Sequence, residues 1–162
     1  DVLQYSRRND SDAQLALAKY YSGIYDEALF AKVISATSDY YDVFGAELVS
    51  TMPSPRTAQG FEVQLLIARS VLNPIAHEAV YYAERAYWIH PESALIGYKL
   101  GRTYLSLNEF ASAKTVLESI DTSGQLRHFK RGVTRALESA EMGLRGELVI
   151  GAGRRRSDPP PP

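Results

Sequence analysis

The chain has 162 residues, 45% of them apolar, and sets 18 lysines and arginines against 19 aspartates and glutamates for a formal net charge of -1, which suits one packed domain. That balance excludes global disorder and nucleic-acid binding driven by bulk charge. With no cysteine there is no disulfide, thiolate metal site or cysteine nucleophile, and no apolar run reaches the roughly 18 residues of a membrane span. The expectation is cytoplasm or another reducing compartment, and DVLQYSRRND lacks the apolar segment of a signal peptide.

In chain order, SDAQLALAKYYS opens on Ser11-x-x-Gln14, a capping-box pattern whose side chains satisfy backbone donors at a helix start. Leu15, Leu17, Ala18 and Tyr21 give that helix an apolar face. Gly23 breaks it, and YDEALFAKVISA restarts with Asp26 and Glu27 in the first turn, where negative charge suits the helix dipole. Tyr40, Tyr41, Phe44 and Leu48 then have helical spacing, whereas Met-Pro-Ser-Pro predicts a loop near 52–58.

FEVQLLIARSVL is helical again and ends at Asn73-Pro74, read as the N-cap and first residue of the next helix. IAHEAVYYAERAYWI carries Ala79, Ala83 and Ala86 at helical spacing, which allows close helix approach, and His90-Pro91 closes it. ALIGYKLGRTYLSL follows, with Asn108 read as the cap of EFASAKTVLESI. A last helix from about Gln125 to Arg145 is announced by Thr122-Ser123-Gly124 and stopped by Gly146. The remaining GELVIGAGRRRSDPPPP reads as an extended, mobile tail.

Ala79 to Ala113 is a return of 34 residues. Three stretches superpose as aliphatic, small, basic, any, large: Leu17-Ala18-Lys19-Tyr20-Tyr21, Ile67-Ala68-Arg69-Ser70-Val71 and Leu100-Gly101-Arg102-Thr103-Tyr104. This resembles the tetratricopeptide repeat family, a helix-turn-helix unit patterned Trp-x-x-Leu-Gly-x-x-Tyr, Ala-x-x-x-Phe, Pro. Leu100, Gly101, Tyr104 and Ala113 fit the pattern, Leu117 replaces Phe and Gly97 stands where Trp would. The preceding pair fits through Ala68, Ala79, Ala86 and Pro91.

The resemblance spans about two thirds of the chain and implies an all-α helix-turn-helix repeat solenoid of about three helix pairs plus a C-terminal capping helix. Its expected bounds are 11–146, with an insert near 38–58 that extends the second helix through Tyr40 and Phe44 or folds back; a basic, proline-rich tail follows over 147–162. Small residues at Ala18, Ala68 and Gly101 are expected to let the second helix of each pair approach.

The function implied is a non-catalytic interaction module or scaffold that binds a peptide or partner subunit in a concave groove lined by the first helix of each pair. The resemblance puts Lys19, Arg69 and Arg102 towards that groove, with Leu65, Leu72, Tyr98, Lys99 and Leu105. Three aligned bases would favour an acidic or carboxylate-bearing peptide. The alternative is nucleic-acid or acidic-surface binding through the carboxyl-terminal part, where residues 125–162 hold eight Lys/Arg against four Asp/Glu.

No enzyme, cofactor or metal is expected. His77, His90 and His128 are too scattered for a ligand motif, Glu138 and Glu141 form a pair without a supporting site, and no phosphate loop or nucleophile elbow is present. Trp88, Tyr81, Tyr82 and Tyr87 are read as packing between helices.

Overall fold

The structure is a computed structural model that describes the backbone of residues 2–42, 46, 48–122 and 127–147, and among these the side chains of all but 2–8, 127 and 128. The described residues hold seven α-helices and no strand: α1 Val2–Tyr21, α2 Glu27–Ser38, α3 Ala58–Leu72, α4 Ala76–Ile89, α5 Ala94–Ser106, α6 Phe110–Glu118 and α7 Arg127–Leu144. Helices adjacent in sequence pack together from α3 to α7, while α3 also packs on both α1 and α2, and α7 also reaches α5.

The helix starts depart from expectation at three points. α1 begins at Val2, nine residues before Ser11 (11 − 2), because no Gly or Pro interrupts 2–11. Ser11 and Gln14 therefore lie exposed in mid-helix, where the backbone donors already have partners. Asn73 is the C-cap of α3 rather than the N-cap of α4: its Oδ1 accepts from Ile75 N at 2.9 Å, and its Nδ2 donates to Glu78. Asn108 has φ 59°, a left-handed residue closing α5, with Glu109 N donating to Tyr104 O at 2.9 Å. Gly23 (φ 84°) and Gly146 (φ 82°) end α1 and α7 in the same way, as their positions predict.

The insert does not extend α2, which stops at Ser38; Phe44 lies outside the described residues, as does the tail beyond Glu147. A single 3₁₀ turn, Val49–Thr51, folds back onto the start of α5. Thr51 Oγ1 accepts from Leu95 N at 3.0 Å while the N-cap Ser93 accepts from Ile96 N, so two hydroxyls satisfy donors at one helix start. Leu48 is fully buried with Leu95, Tyr98 and Phe129, and Tyr41 and Met52 pack against both this cluster and the one built on α1 and α3. The loop that follows is tied to α3 by Gln64 Nε2, which donates to Pro53 O at 2.8 Å, and Thr57 N-caps α3.

The small-residue rule holds in two pairs and fails in one. Ala68 and Gly101 are buried, and a Cβ at Gly101 would lie 2.6 Å from Leu117 Cγ. Ala18 is exposed, and Ala13, Ala16 and Leu17 make the contact of α1 instead. Gly101→Val is therefore expected to cost about 1–3 kcal/mol by overpacking against Leu117, whereas Ala18→Leu changes stability by less than about 0.5 kcal/mol. Urea unfolding of the two variants checks this; equal losses would contradict the assigned packing.

Candidate functional site

The three bases of the repeated register are each tied to an aspartate. Lys19 Nζ lies 2.7 Å from Asp26 Oδ2, Arg69 Nε 3.4 Å from Asp10 Oδ1, and Arg102 Nη1 3.1 Å from Asp42 Oδ2. Asp26 is also the N-cap of α2, and the bond from Lys19 together with that from Leu29 N holds its carboxyl below the usual range. Burial pushes the Asp10 carboxyl up by more than the Arg69 guanidinium lowers it. Arg69 is further engaged, with its guanidinium carbon 4.0 Å from the centroid of the Tyr82 ring. The expected open track of three bases is thus a set of separate, internally compensated pairs.

The apolar members of the expected groove are core residues. Leu65 is 0% and Leu72 1% exposed, both in the cluster that Tyr40, Tyr41 and Met52 pack against. Leu105 and the ring of Tyr98 are buried with Leu48 and Phe129. Leu65 and Leu72 offer no open apolar wall to a peptide, because Tyr40, Tyr41 and Met52 pack against their cluster, and Leu48 and α7 pack with Leu105 and Tyr98, which keep only a 3% exposed edge on neighbouring clefts. Only the hydroxyl of Tyr98 is polar there: it donates to Asp42 at 3.1 Å and accepts from Arg102 Nη1 at 2.7 Å.

Two clefts meet at α5. One, of about 240 Å³, is lined by Tyr40, Tyr41, Asp42, Val71, Leu95, Tyr98, Lys99 and Arg102. The other, of about 280 Å³, shares Val71, Lys99 and Arg102 with it and adds Ser70, Asn73, Thr103 and Ser106 among its walls. Lys99 is half-buried and has no ion pair among the described residues. Burial lowers its pKa and the neighbouring Arg102 charge lowers it further, against the opposing pull of Asp42. Ser70 is buried, and its Oγ has no hydrogen-bond partner among the described residues, a state that costs about 1–3 kcal/mol. Sequence reading found Lys99 but missed Ser70 and the Tyr40–Asp42 wall, which no local spacing marks.

The opposite reversal occurs on α4. Trp88 is 81% and Tyr81 69% exposed, so these two rings do not pack between helices as expected; Tyr82 and Tyr87 are partly buried and do. Arg85 stands between them on the same helical face, 3.8 Å from Glu62, whose carboxylate accepts from Tyr21 OH at 2.6 Å. Tyr21, Ile24 and Tyr25, all more than half exposed, continue this surface onto the end of α1. Next to Tyr25 opens a cleft of about 570 Å³ lined by Glu27, Phe30, Pro55, Arg56, Thr57 and Phe61.

On α7, Phe129, Val133, Ala136 and Ala140 are buried, whereas Lys130, Arg131, Arg135, Glu138 and Glu141 are exposed. His90 Nδ1 lies 3.5 Å from Glu92, the His128 side chain is outside those described, and no group of three acidic or histidine side chains among the described residues has metal-site geometry. Compared with protein-family models, curated proteins and solved structures, the chain has no significant match.

A charge held in the wall of a cleft without a partner carries a stability cost whose pH dependence has a definite sign. The ordinary lysine value is 10.5 and that of folded Lys99 is lower, so below the folded value both states are charged and the full cost is present. As pH rises towards 10.5 the folded protein sheds its proton first and the cost is relieved. Lys99→Met, which keeps the apolar stem, is expected to raise stability at neutral pH by an amount that shrinks as pH approaches 10.5. Urea unfolding across that range checks it; a gain that grows with pH would show that Lys99 has a partner in the fold.

Proposed function

We propose that the chain is a non-catalytic protein-interaction module of tetratricopeptide-like helix pairs that docks a partner subunit on the outer face of α4. The carrying observation is Trp88, 81% exposed, with Tyr81 and Arg85 on the same helical face. A large ring left in water forfeits the burial that an aromatic residue ordinarily contributes to its own fold, and Trp, Tyr and Arg are the side chains that most often dominate binding energy at interfaces. The successive packing of α3 to α7 supports the repeat reading, and the internal cover over Leu65, Leu72 and Tyr98 is the reason for moving the partner from the inner to the outer face.

Photo-crosslinking from position 88, followed by calorimetry with the captured partner, tests this. Trp88→Ala is expected to weaken that complex by about 2 kcal/mol or more, roughly thirtyfold, and Tyr81→Ala by a smaller factor, while Lys19→Ala leaves it unchanged. Diffuse crosslinking with no discrete product, or undiminished affinity of Trp88→Ala, overturns the reading.

A second reading rests on α7, where Lys130, Arg131 and Arg135 are exposed and none has an ion-pair partner among the described residues. Binding of a labelled single-stranded oligonucleotide with steep salt dependence, lost in the triple alanine variant, would favour this nucleic-acid reading. Salt-independent or unchanged binding would remove it.

A further inference from the structure

Lys99 lines two clefts and makes no direct ion pair among the described residues, the Asp42 carboxylate being bound to Arg102 and acting on Lys99 only from a distance. The hydroxyls around it are mostly committed: Thr103 Oγ1 donates to Lys99 O at 2.8 Å and Ser106 Oγ to Thr103 O at 2.7 Å. Both polar ends of the Asn73 amide are engaged as well. Ser70 Oγ, buried in the same wall, has no hydrogen-bond partner among the described residues. The adjoining cleft supplies apolar and aromatic walls from Tyr40, Tyr41, Val71 and Leu95. This combination of an apolar enclosure with a few convergent polar groups is the makeup of a small-molecule site rather than of a chain-binding track.

The geometry points to a binding site at Lys99 for a small organic monocarboxylate with an aromatic or aliphatic body. The carboxylate pairs with the Lys99 ammonium and accepts from the Ser70 hydroxyl, while the body lies against Val71 and the two tyrosines. Charge selects the ligand class. Arg102 is balanced by Asp42, which leaves one uncompensated positive charge among the described residues, so a monoanion neutralises the site and a dianion would leave surplus negative charge beside the Asp42 carboxylate. An acid without an apolar body would leave the second cleft unfilled and forgo its hydrophobic contribution. This site is independent of the partner surface on α4.

The test is an NMR titration of the full chain with phenylacetate and with octanoate, following the backbone amides and the Lys99 side chain. The expected result is saturable binding of at least one acid, with shifts centred on residues 70–71 and 95–102 and a Lys99 pKa that moves up when ligand is bound. Phenylacetamide, acetate and phenyl phosphate should each bind about tenfold more weakly or worse. Lys99→Met, which removes the charge and keeps the stem, should lose about tenfold or more, and Ser70→Ala several-fold, with amide spectra showing both variants folded. Absence of saturable binding by both acids overturns the inference. So does equal binding of the amide or by Lys99→Met, shifts confined to α7, or tighter binding of the dianion.

Discussion

The arrangement depends on one act of packing: Tyr41, Leu48 and Met52, from the segment between α2 and α3, join the cluster built on α3 to the one built on α5. Leu48 is wholly buried there, and Tyr41 and Met52 touch the clusters on both sides. A fully buried leucine contributes on the order of 1.5–3 kcal/mol by transfer from water. The segment also brings the Thr51 hydroxyl to a donor at the start of α5 and Asp42 to Arg102. Without this cover, the apolar side chains it packs against on α3 and α5 would stand in water and Arg102 would lose its carboxylate.

The same constraint explains the electrostatics. A base beside apolar packing must be neutralised or must lower its proton affinity where it is desolvated, because a desolvated charge is costly. Arg69 takes the first course through Asp10, whereas Lys19 and Arg102 pair with Asp26 and Asp42 at more exposed positions. Lys99 takes the second. A common register in sequence therefore does not produce a common electrostatic surface: position along a helix is set by periodicity, but the counter-charge arrives from elsewhere in the chain.

That difference marks what the sequence made legible. The all-α class, the seven helices and the stops at Gly23 and Gly146 follow from local rules, and the contact of Gly101 with Leu117 follows from the 34-residue return. The capping reading at Ser11 fails because a cap needs an end, and no residue ends the helix there. The exposure of Trp88 was also hidden: an aromatic residue at helical spacing reads as core, and only the placement of neighbouring helices decides which stripe of α4 is covered. The cover over Leu65, Leu72 and Leu105 was hidden for a reason no single helix carries, since it comes from Tyr40, Tyr41, Leu48 and Met52 of the insert and from α7, residues distant in sequence from those they cover.

The two sites that emerge make opposite demands on the fold. Trp88 and Tyr81 cost it little, because they lie outside the packed clusters and forgo only burial that a partner can later supply. Lys99 and Ser70 burden it directly, one as a half-buried cation without a direct ion pair and the other as a buried hydroxyl without a hydrogen-bond partner among the described residues. Other buried hydroxyls are paired: Thr37 donates to Val33 O, and Thr51 Oγ1 is within hydrogen-bond distance of Leu48 O, Ser93 Oγ and Leu95 N. Asn9 Nδ2 and Asp12 Oδ2 on α1 are also buried without a hydrogen bond among the described residues, whereas Lys99 and Ser70 share the wall of one cleft. These last two are the polar half of a recognition site, and the apolar half is the wall that the insert and α5 build together.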